Sequence, residues 1–379
     1  MASFVTAKLI ASKALPLLKD KISLLPKVSR DYDSTYKKAG DTIQVIKPAR
    51  TSTVDGSSTI SGAYKEISEG AVEVTLDTKR TVPFQVTSKQ LSLNVDDFTR
   101  QVIEPAVTAI AEYVNAGIAE KYVDIPYWVG TAGVTPSSLE DIANVRKALN
   151  KNRCPMDMRS FVMDYDAEAK FIALDSLAEV DKAGTNSALR NAAIGRVFGM
   201  DLIADSGIKT HTAGGYTALT DVTITAGAAG ATSIKLESTA GESTAKLLKG
   251  DLLSIDGYQF VVTSDTAAAV SGDIAAVSIY PALPKAFGDF TSAAVTFPDK
   301  TAGAHVANLA FQKDAFCFAT APLAPPLNGA ASSYSLVADG LSLRVVNDYD
   351  IDTDTNKWRM DILYTVKTLY PELAVQVLG

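Results

Sequence analysis

Few residues of this sequence have the types and spacing that catalysis or metal binding requires. His211 and His305 are the only histidines, and neither lies at the spacing of a metal ligand set or of a nucleophile and its base. The sequence also lacks a phosphate-binding loop, a dinucleotide fingerprint and a GxSxG elbow. We therefore expect a protein that is not an enzyme and that holds no cofactor and no metal.

The acidic run Asn347–Asn356 (NDYDIDTDTN) places four aspartates at alternate positions, as a calcium loop does. A calcium loop requires Gly at its sixth position and Glu at its twelfth. Counted from the first aspartate, these positions hold Thr353 and Arg359, and counted from the second they hold Thr355 and Asp361. The run therefore favours a solvated hairpin loop over a metal site.

Two other pairs of residues carry weaker signals. Gly195 and Gly199 flank a stretch that we interpret as a buried strand, and tight strand packing explains them better than phosphate binding does. Cys154 and Cys317 lie far apart without metal-type spacing, which favours free thiols in a reducing compartment over a disulfide.

Composition indicates a globular chain. Its 379 residues, 47% of them hydrophobic, suffice for two or three domains with buried cores. No run approaches 18 apolar residues, so a membrane span is not expected. Lys8 and Lys13 interrupt the apolar residues of the first segment, so we expect no signal peptide.

Charge is distributed unevenly along the chain. Residues 1–50 carry a net charge of +6 and the remainder carries −13. A basic segment of this kind can contact nucleic acid or an acidic partner surface, whereas an acidic body repels a DNA backbone. Solvated helix faces also produce such a bias, so both interpretations stay open.

The longest helical pattern runs from Asn94 to Asp124. Its apolar stripe recurs every four residues, at Phe98, Val102, Ala106, Ile110, Val114 and Ile118, with Ala109, Tyr113 and Gly117 in the adjacent row. This spacing predicts one long helix that begins with Asn94 as its cap and ends before Pro126. Pro105 predicts a bend near residues 101–104, because proline lacks the N–H that the helix needs there.

Before this helix, the pattern predicts a short amphipathic helix over residues 4–19, interrupted by Pro16, with little of its own to pack on. Two strands follow, DTIQVIKP and the unusually long AVEVTLDTKRTVPFQVTSKQL, in which Pro83 restricts the strand to an edge or a bend. The segment Thr51–Gly70 between them is poor in large apolar residues. We expect these strands to form a long hairpin with an exposed, mobile tip.

After the long helix, helices and strands alternate. Ser138 and Asp141 predict a capped helix, SFVMD a short strand and DAEAKFIALDSLAEV a further helix. From Thr220 to Phe297 the pattern becomes purely β, with about six short strands and a tight turn at Asp256-Gly257, which favours a small inserted barrel or sandwich. Near the end, LSLRVVN is predicted to pair with KWRMDILYTVK.

The order of these parts resembles the major capsid proteins of tailed bacteriophages, which have the HK97-like fold. The strings VSRDYDSTYKKAGDTIQVIKP, IGRVFGMDLIADSGI, NLAFQKDAFCFATAPL and LSLRVVNDYD…RMDILYTVKTLYPELAVQVLG carry the resemblance. The β-only module is similar to the inserted domain in coat proteins of short-tailed Salmonella-type phages. The resemblance implies an α+β fold with an N-terminal arm, an E-loop hairpin, a spine helix, peripheral and axial domains and an inserted all-β barrel-like domain.

On this resemblance the segments are assigned as follows: 1–39 N-terminal arm, 40–92 E-loop hairpin and flanking strands, 93–129 peripheral domain with spine helix, 130–217 first part of the axial domain, 218–300 inserted β-domain, 301–345 second part of the axial domain, and 346–379 C-terminal hairpin returning to the body. We expect the inserted segment to fold alone, since its ends must lie close together.

The resemblance implies an icosahedral shell, built from pentamers and hexamers of this chain, that encloses double-stranded phage DNA. It also implies a scaffolding protein, a portal, in some members a decoration protein, and assembly in the host cytoplasm before the virion forms. A tail-tube or surface-layer protein is the alternative, and a carbohydrate-binding β-domain would explain only residues 220–297. We expect noncovalent assembly, without membrane contact.

The charge pattern of the sequence suggests which residues contact other subunits. No acidic run adjoins the lysines of the arm, which could also face the packaged genome, and the hairpin carries charges of both signs. The residues expected in such contacts are Lys8, Lys13, Lys19, Lys21, Lys65, Glu66, Lys79 and Arg80.

Overall fold

The structure is a computed structural model that describes residues 7–30, 42–47, 70–87, 99–179, 194–241, 243–290, 292–326, 332–338, 341–350, 352–353 and 355–379. The chain divides into two compact units. The first unit comprises Met1–Asp20, Arg30–Ile110 and Cys317–Leu369, and the second comprises Lys21–Ser29, Ala111–Phe316 and Tyr370–Gly379.

Helices and strands both contribute to the fold. The α-helices are α1 Ala7–Lys21, α2 Glu104–Ala119, α3 Leu139–Lys151, α4 Tyr165–Ile172 and α5 Asp175–Ala178. The strands are β1 Thr42–Lys47, β2 Gly70–Thr75, β3 Thr78–Thr87, β4 Trp128–Gly130, β5 Arg159–Met163, β6 Arg196–Val197, β7 Met200–Ala204, β8 Thr210–Thr212, β9 Val222–Ala226, β10 Ser233–Ser238, β11 Leu252–Ile255, β12 Tyr258–Val262, β13 Asp273–Tyr280, β14 Val295–Thr296, β15 Ala304–Gln312, β16 Phe316–Thr320, β17 Ser332–Ala338, β18 Leu341–Asp350, β19 Thr355–Thr368 and β20 Ala374–Leu378.

The predicted spine helix is helical from Thr99 to Asp124, and its predicted start at Asn94 lies outside the described residues. A π-helical segment, Thr99–Ile103, leads into α2, and a 3-10 turn, Glu120–Asp124, ends it. The π-helical segment coincides with the region where Pro105 was expected to disturb the helix. The wider π-helical turn shifts the pattern of backbone hydrogen bonds. The helix therefore continues although Pro105 has no N–H to donate.

One face of this helix is buried as predicted, and the row assigned beside it is wrong. Ala106, Ile110, Val114 and Ile118 are buried, but Ala109 and Tyr113 are exposed and Gly117 is half-buried. The second buried row lies on the other side of the stripe and consists of Ile103, Val107, Ala111 and Ala119. Either neighbouring row satisfies a four-residue repeat, so the sequence period could not choose between them.

In the first unit, β17, β18, β19 and β16 form a sheet in the order β16-β19-β18-β17, and β3 also pairs with β19. Strands β18 and β19 pair as the sequence predicted, with Asn347 opposite Trp358. The predicted face of β19 is buried along its whole length, at Trp358, Met360, Ile362, Tyr364 and Val366.

The long strand predicted after the hairpin tip is two strands with different partners. Strand β2 pairs antiparallel with β1, from Thr42 opposite Thr75 to Lys47 opposite Gly70, so the predicted hairpin is confirmed. Strand β3 instead pairs with β19, with Thr78 opposite Tyr364. Among the described strands β3 pairs only with β19, which leaves Pro83 on an edge strand, where a missing N–H is tolerated.

A buried carboxylate ties these strands together. Asp361 on β19 is fully buried and accepts hydrogen bonds from both Nε and Nη2 of Arg344 on β18. It also accepts a 2.7 Å hydrogen bond from Thr81 Oγ1 on β3, and Arg359 Nε lies 3.2 Å away. One acid therefore joins three neighbouring strands of the first unit.

The second unit contains a seven-stranded mixed sheet in the order β4-β20-β15-β5-β7-β6, with β8 also on β15. The predicted cap of α3 is confirmed: Ser138 Oγ accepts from Asp141 N, and the Asp141 side chain accepts from Ser138 N. Helix α3 buries Ile142, Val145 and Leu149 against residues of β5, β7, β15 and β20. Fully burying one such side chain contributes about 1.5–3 kcal/mol, so this face fixes the helix on the sheet.

The stretch around the glycines at 195 and 199 is a hairpin, which corrects the buried strand expected there. Strands β6 and β7 pair antiparallel around the two-residue turn Phe198-Gly199. Both turn residues have positive φ, 48° and 82°, as a type I′ turn requires. Strand β7 also runs parallel to β5, and β6 is the edge strand of the sheet.

The β-only segment forms a six-stranded sheet in the order β14-β11-β12-β13-β10-β9. A bridge between Thr223 and Ala294 links its two edges, so the sheet nearly closes into a barrel. Its core is apolar and includes Tyr216, which lies just before the predicted start of this segment. The turn at Asp256-Gly257 has φ of 49° and 80°, which confirms the tight turn predicted there.

The buried and exposed acid pairs of the first unit test this description. We predict that Asp361→Ala lowers the free energy of unfolding of the first unit by about 3–5 kcal/mol, because it leaves the Arg344 guanidinium buried without its partner. Asp350→Ala, which removes a solvent-exposed pair with Lys357, serves as the matched control and should have a much smaller effect.

Urea unfolding followed by circular dichroism would measure both changes. Equal unfolding midpoints for the Asp361→Ala and Asp350→Ala variants would contradict the role given to the buried acid.

Candidate assembly surfaces and buried polar clusters

The four arm lysines expected at intersubunit contacts lie on one helix. Lys8, Lys13, Lys19 and Lys21 are exposed on α1, which continues through Pro16 where the sequence predicted an interruption. The apolar side of α1 is buried, at Ala7, Ile10, Ala11, Ala14, Leu15 and Leu18. The expectation that this helix has nothing to pack on is therefore wrong, and the lysines form the solvated side of a packed helix.

The hairpin residues expected at contacts fall into two groups. Lys65 and Glu66 lie outside the described residues. Lys79 and Arg80 are exposed, but they lie on β3, which pairs with β19, and not on the β1–β2 hairpin. At the base of the hairpin Val45 is buried, while Ile46 next to it is 61% exposed.

The aspartate run lies at the turn between β18 and β19. Asp350 accepts a 2.6 Å hydrogen bond from Lys357 Nζ, and this bond holds the pKa of the Asp350 carboxyl below its ordinary value. The backbone N–H of Asp352 also donates to Asp350. The Asp350 carboxylate thus already accepts hydrogen bonds from Lys357 and from the backbone of the turn, as expected in a solvated hairpin loop. Within the described ranges, no cluster of three or more His, Cys, Asp or Glu could hold a metal ion.

The two histidines, far apart in sequence, lie together at the base of the barrel. Strands β8 and β15 pair with His211 directly opposite His305, and the two ring centroids are 5.3 Å apart. Both rings are buried. Sequence spacing gave no sign of this pair, because it forms across two strands that lead into and out of the barrel.

His211 links the helical segment to the barrel. Its Nε2 lies 2.9 Å from the fully buried Asp251, whose side chain also accepts hydrogen bonds from the N–H groups of Gly214 and Leu248. Its Nδ1 lies 3.1 Å from the Tyr122 hydroxyl. Burial raises the pKa of Tyr122 to about 12, so the hydroxyl keeps its proton. In the tautomer that carries its proton on Nε2, His211 donates to the Asp251 carboxylate and accepts from the Tyr122 hydroxyl.

His305 has its own acid. Its Nδ1 donates to Asp299 at 2.7 Å, and both residues are buried. The N–H of Ala213 donates to the carbonyl of Gly303 nearby, so the strands entering and leaving the barrel stay together. These contacts join the strands that enter and leave the barrel, and we assign both His-Asp pairs to holding its base.

A cleft of about 510 Å³ lies between β4, α3 and the turn joining β11 to β12. Trp128, Tyr258, Lys147 and Lys151 line it, together with amide side chains and glycines. Its described lining contains no acid, histidine, serine or cysteine.

The two cysteines are buried. Cys154 and Cys317 form no disulfide, as the sequence predicted. Burial raises the pKa of the Cys154 thiol, which lowers its thiolate fraction and hence its reactivity. Of the helices in the described ranges, none has the length and apolar character that would cross a membrane.

One segment of the chain matches the model of a known protein family. A family model described as "P22 coat protein - gene protein 5" matches residues 291–379. This range contains β15 to β20, hence most of the first unit's sheet and two central strands of the second unit's sheet. No curated protein sequence matches the chain significantly.

Solved structures resemble nearly the whole chain. A structure from Mycobacterium phage Che8 is 15% identical, with a TM-score of 0.51 over 93% of this chain and 89% of the other. The capsid of Ralstonia phage GP4 is 8% identical, with a TM-score of 0.47 over 93% and 87% of the two chains. The capsid of an empty GTA particle is 9% identical, with a TM-score of 0.47 over 94% and 89%. The likeness to the Che8 structure shows a shared fold, and the α+β HK97-like capsid fold expected from the sequence is confirmed.

Proposed function

We propose that this chain is a major capsid protein that assembles into the icosahedral shell of a tailed phage around its double-stranded DNA. The observation that carries the proposal is the likeness of 93% of the chain to the Che8 phage structure, joined to the coat-protein match over residues 291–379.

The partners follow from this function as further parts of the proposal. Shells of this kind contain pentamers and hexamers of one chain, and their assembly uses a scaffolding protein and a portal in the host cytoplasm. The barrel over residues 218–300 is proposed as an inserted domain, and on this basis we propose that the chain belongs with the coat proteins of short-tailed Salmonella-type phages. Its chain ends lie side by side at β8 and β15, as insertion into another domain requires. A decoration protein is a further candidate partner.

Expression of the full chain, alone and together with the scaffolding gene of its own phage, tests the function. We expect closed shells in negative-stain electron micrographs and a fast-sedimenting species. Tubes or flat sheets would support the alternative of a tail-tube or surface-layer protein. A monomer under all scaffold and salt conditions would contradict self-assembly altogether.

The hairpin tip is proposed to clamp a neighbouring subunit. The strands β1 and β2 make only a two-stranded ribbon, and such a ribbon is marginally stable in water unless something packs on it. Replacing residues 55–69 with a short Gly-Ser turn should leave the melting temperature of the free subunit within about 2 °C and reduce the yield of shells, because the tip acts only between subunits.

Thermal unfolding and sucrose-gradient sedimentation would measure the two quantities. A Gly-Ser replacement of residues 228–229 in the turn from β9 to β10 is the control and should assemble normally. A normal yield of shells from the variant with the shortened hairpin would contradict the proposed clamp.

The arm lysines are proposed to act between subunits or against the genome. Exposed charge pairs contribute only about 0.2–1 kcal/mol each, so several lysines must act together. Changing Lys8, Lys13, Lys19 and Lys21 together to Gln should lower assembly yield and flatten its salt dependence, while the melting temperature stays unchanged.

The control changes four lysines that lie elsewhere: Lys246, Lys285, Lys300 and Lys367. If assembly yield and its dependence on salt respond equally to the two sets of changes, the arm has no special role.

A further inference from the structure

One end of the second unit's sheet presents large apolar side chains to solvent. Met156 is 65% exposed, Met158 is 60% exposed and Phe198 is 42% exposed. Met158 immediately precedes β5, and Phe198 lies in the turn that precedes β7. Because Arg159 pairs with Met200 in the parallel β5–β7 ladder, Met158 and Phe198 occupy neighbouring positions at the same end of the sheet. We call Met156, Met158, Phe198 and Arg153 the methionine patch.

The backbone of this patch adopts conformations that its residues disfavour. Arg153, Met158 and Phe198 have φ of 57°, 51° and 48°, in the left-handed region that Gly and Asn adopt more readily. Arg153 follows the end of α3, where Gly is the usual residue, and Phe198 occupies the first central position of a type I′ turn, where Asn is preferred. Folding alone would favour other side chains at all three positions, which points to a role for the side chains present.

A buried arginine holds the patch rigid. Arg159 is 2% exposed, and its guanidinium donates to the carbonyl oxygens of Pro155 and Cys154 at 2.6 and 2.7 Å and to Asn150 Oδ1 at 2.9 Å. Two of these acceptors lie in the segment that carries Arg153 and the methionines, and the third lies in the last turn of α3, just before it. A rigid surface loses little conformational entropy on binding, and Met, Phe and Arg are enriched in interfaces between proteins.

A complementary surface lies at the opposite end of the same strand. Tyr165, the first residue of α4, is 58% exposed, and Asp166 and Glu168 follow it in the first helical turn. The helix dipole accounts for two acids at this position, but it does not account for an exposed tyrosine beside them. We call Tyr165, Asp166 and Glu168 the tyrosine face.

The charges of the two surfaces are opposite. Arg146 and Arg196 border the methionine patch and donate to the carbonyls of Phe198 and Gly199, and Asp157 is the acid between the methionines. Lys170 is the base in the last turn of α4. Across the described parts of the chain, Arg153, Asp166 and Glu168 take part in no ion pair, so these charges are available to a partner.

We propose that the methionine patch of one copy binds the tyrosine face of a second copy. The five residues of β5 place the two surfaces roughly 20 Å apart on one molecule, so the contact joins different surfaces of successive copies. Such a head-to-tail contact closes into a ring when the rotation between copies allows it. This proposal rests on the proposed shell function and names the surfaces that join copies within it.

The first test separates assembly from folding. In the triple variant Arg153→Gly, Met158→Asn and Phe198→Asn, each new residue fits the left-handed backbone better than the old one. The melting temperature should therefore stay the same or rise, while the yield of assembled particles on a sucrose gradient falls at least tenfold. Ser271→Asn, at an exposed barrel residue with φ of 52°, is the control and should leave assembly unchanged.

The second test asks whether the tyrosine face of a second copy binds the methionine patch. Arg153→Glu alone, and Asp166→Arg with Glu168→Arg alone, should each reduce assembly, and combining all three changes should restore most of it. Wild-type yield from the left-handed triple variant, or no recovery in the charge-swapped chain, would overturn the contact while normal wild-type shells still supported the capsid function. A wild-type chain that never assembles would overturn both.

Discussion

A carboxylate without access to water organises the first unit. Asp361 accepts hydrogen bonds from Arg344 on one neighbouring strand and from Thr81 on the other. Because burying an unpaired charge is costly, the three strands stabilise one another only when they are all in place. Strand β3 begins only three residues after β2 ends, and Thr81 is its fourth residue. The same acid therefore anchors the segment from which the β1–β2 hairpin departs.

Buried acids have the corresponding role in the second unit. Asp251 and Asp299 are each paired with a histidine at the base of the barrel, where the chain enters and leaves the six-stranded sheet. The hydroxyl of Tyr122 extends this network to the turn that ends the spine helix. A barrel attached by two adjacent strands would otherwise turn easily about them, so the polar network restricts its orientation on the sheet below.

Local signals in the sequence predicted much of the fold. The reciprocal bonds of Ser138 and Asp141, the turn at Asp256-Gly257 and the pairing of β18 with β19 were all correct, because each depends on residues close in sequence. The change of partner between β2 and β3 depends on a distant acid, and the histidine pair depends on two strands that close a loop of about ninety residues. Periodicity contains no information about such contacts.

The candidate contact surface was missed for a related reason. The first central position of a type I′ turn favours Asn, and here it holds Phe198. Turn propensity therefore does not predict the hairpin at Phe198-Gly199. Positions that break a local rule are expected where a side chain serves binding rather than folding. A sequence alone could have raised this only as an unexplained apolar run near PMDM, with no indication that Phe198 lies beside it.

We propose that this chain builds a closed shell through the HK97-like fold. A cryo-electron microscopy reconstruction of particles purified from cells expressing the chain would test this proposal. We expect icosahedral density in which every lattice position holds one copy of this fold, with the barrel as a separate feature of each copy. Density with helical or planar symmetry, or a shell built from a different chain, would contradict it.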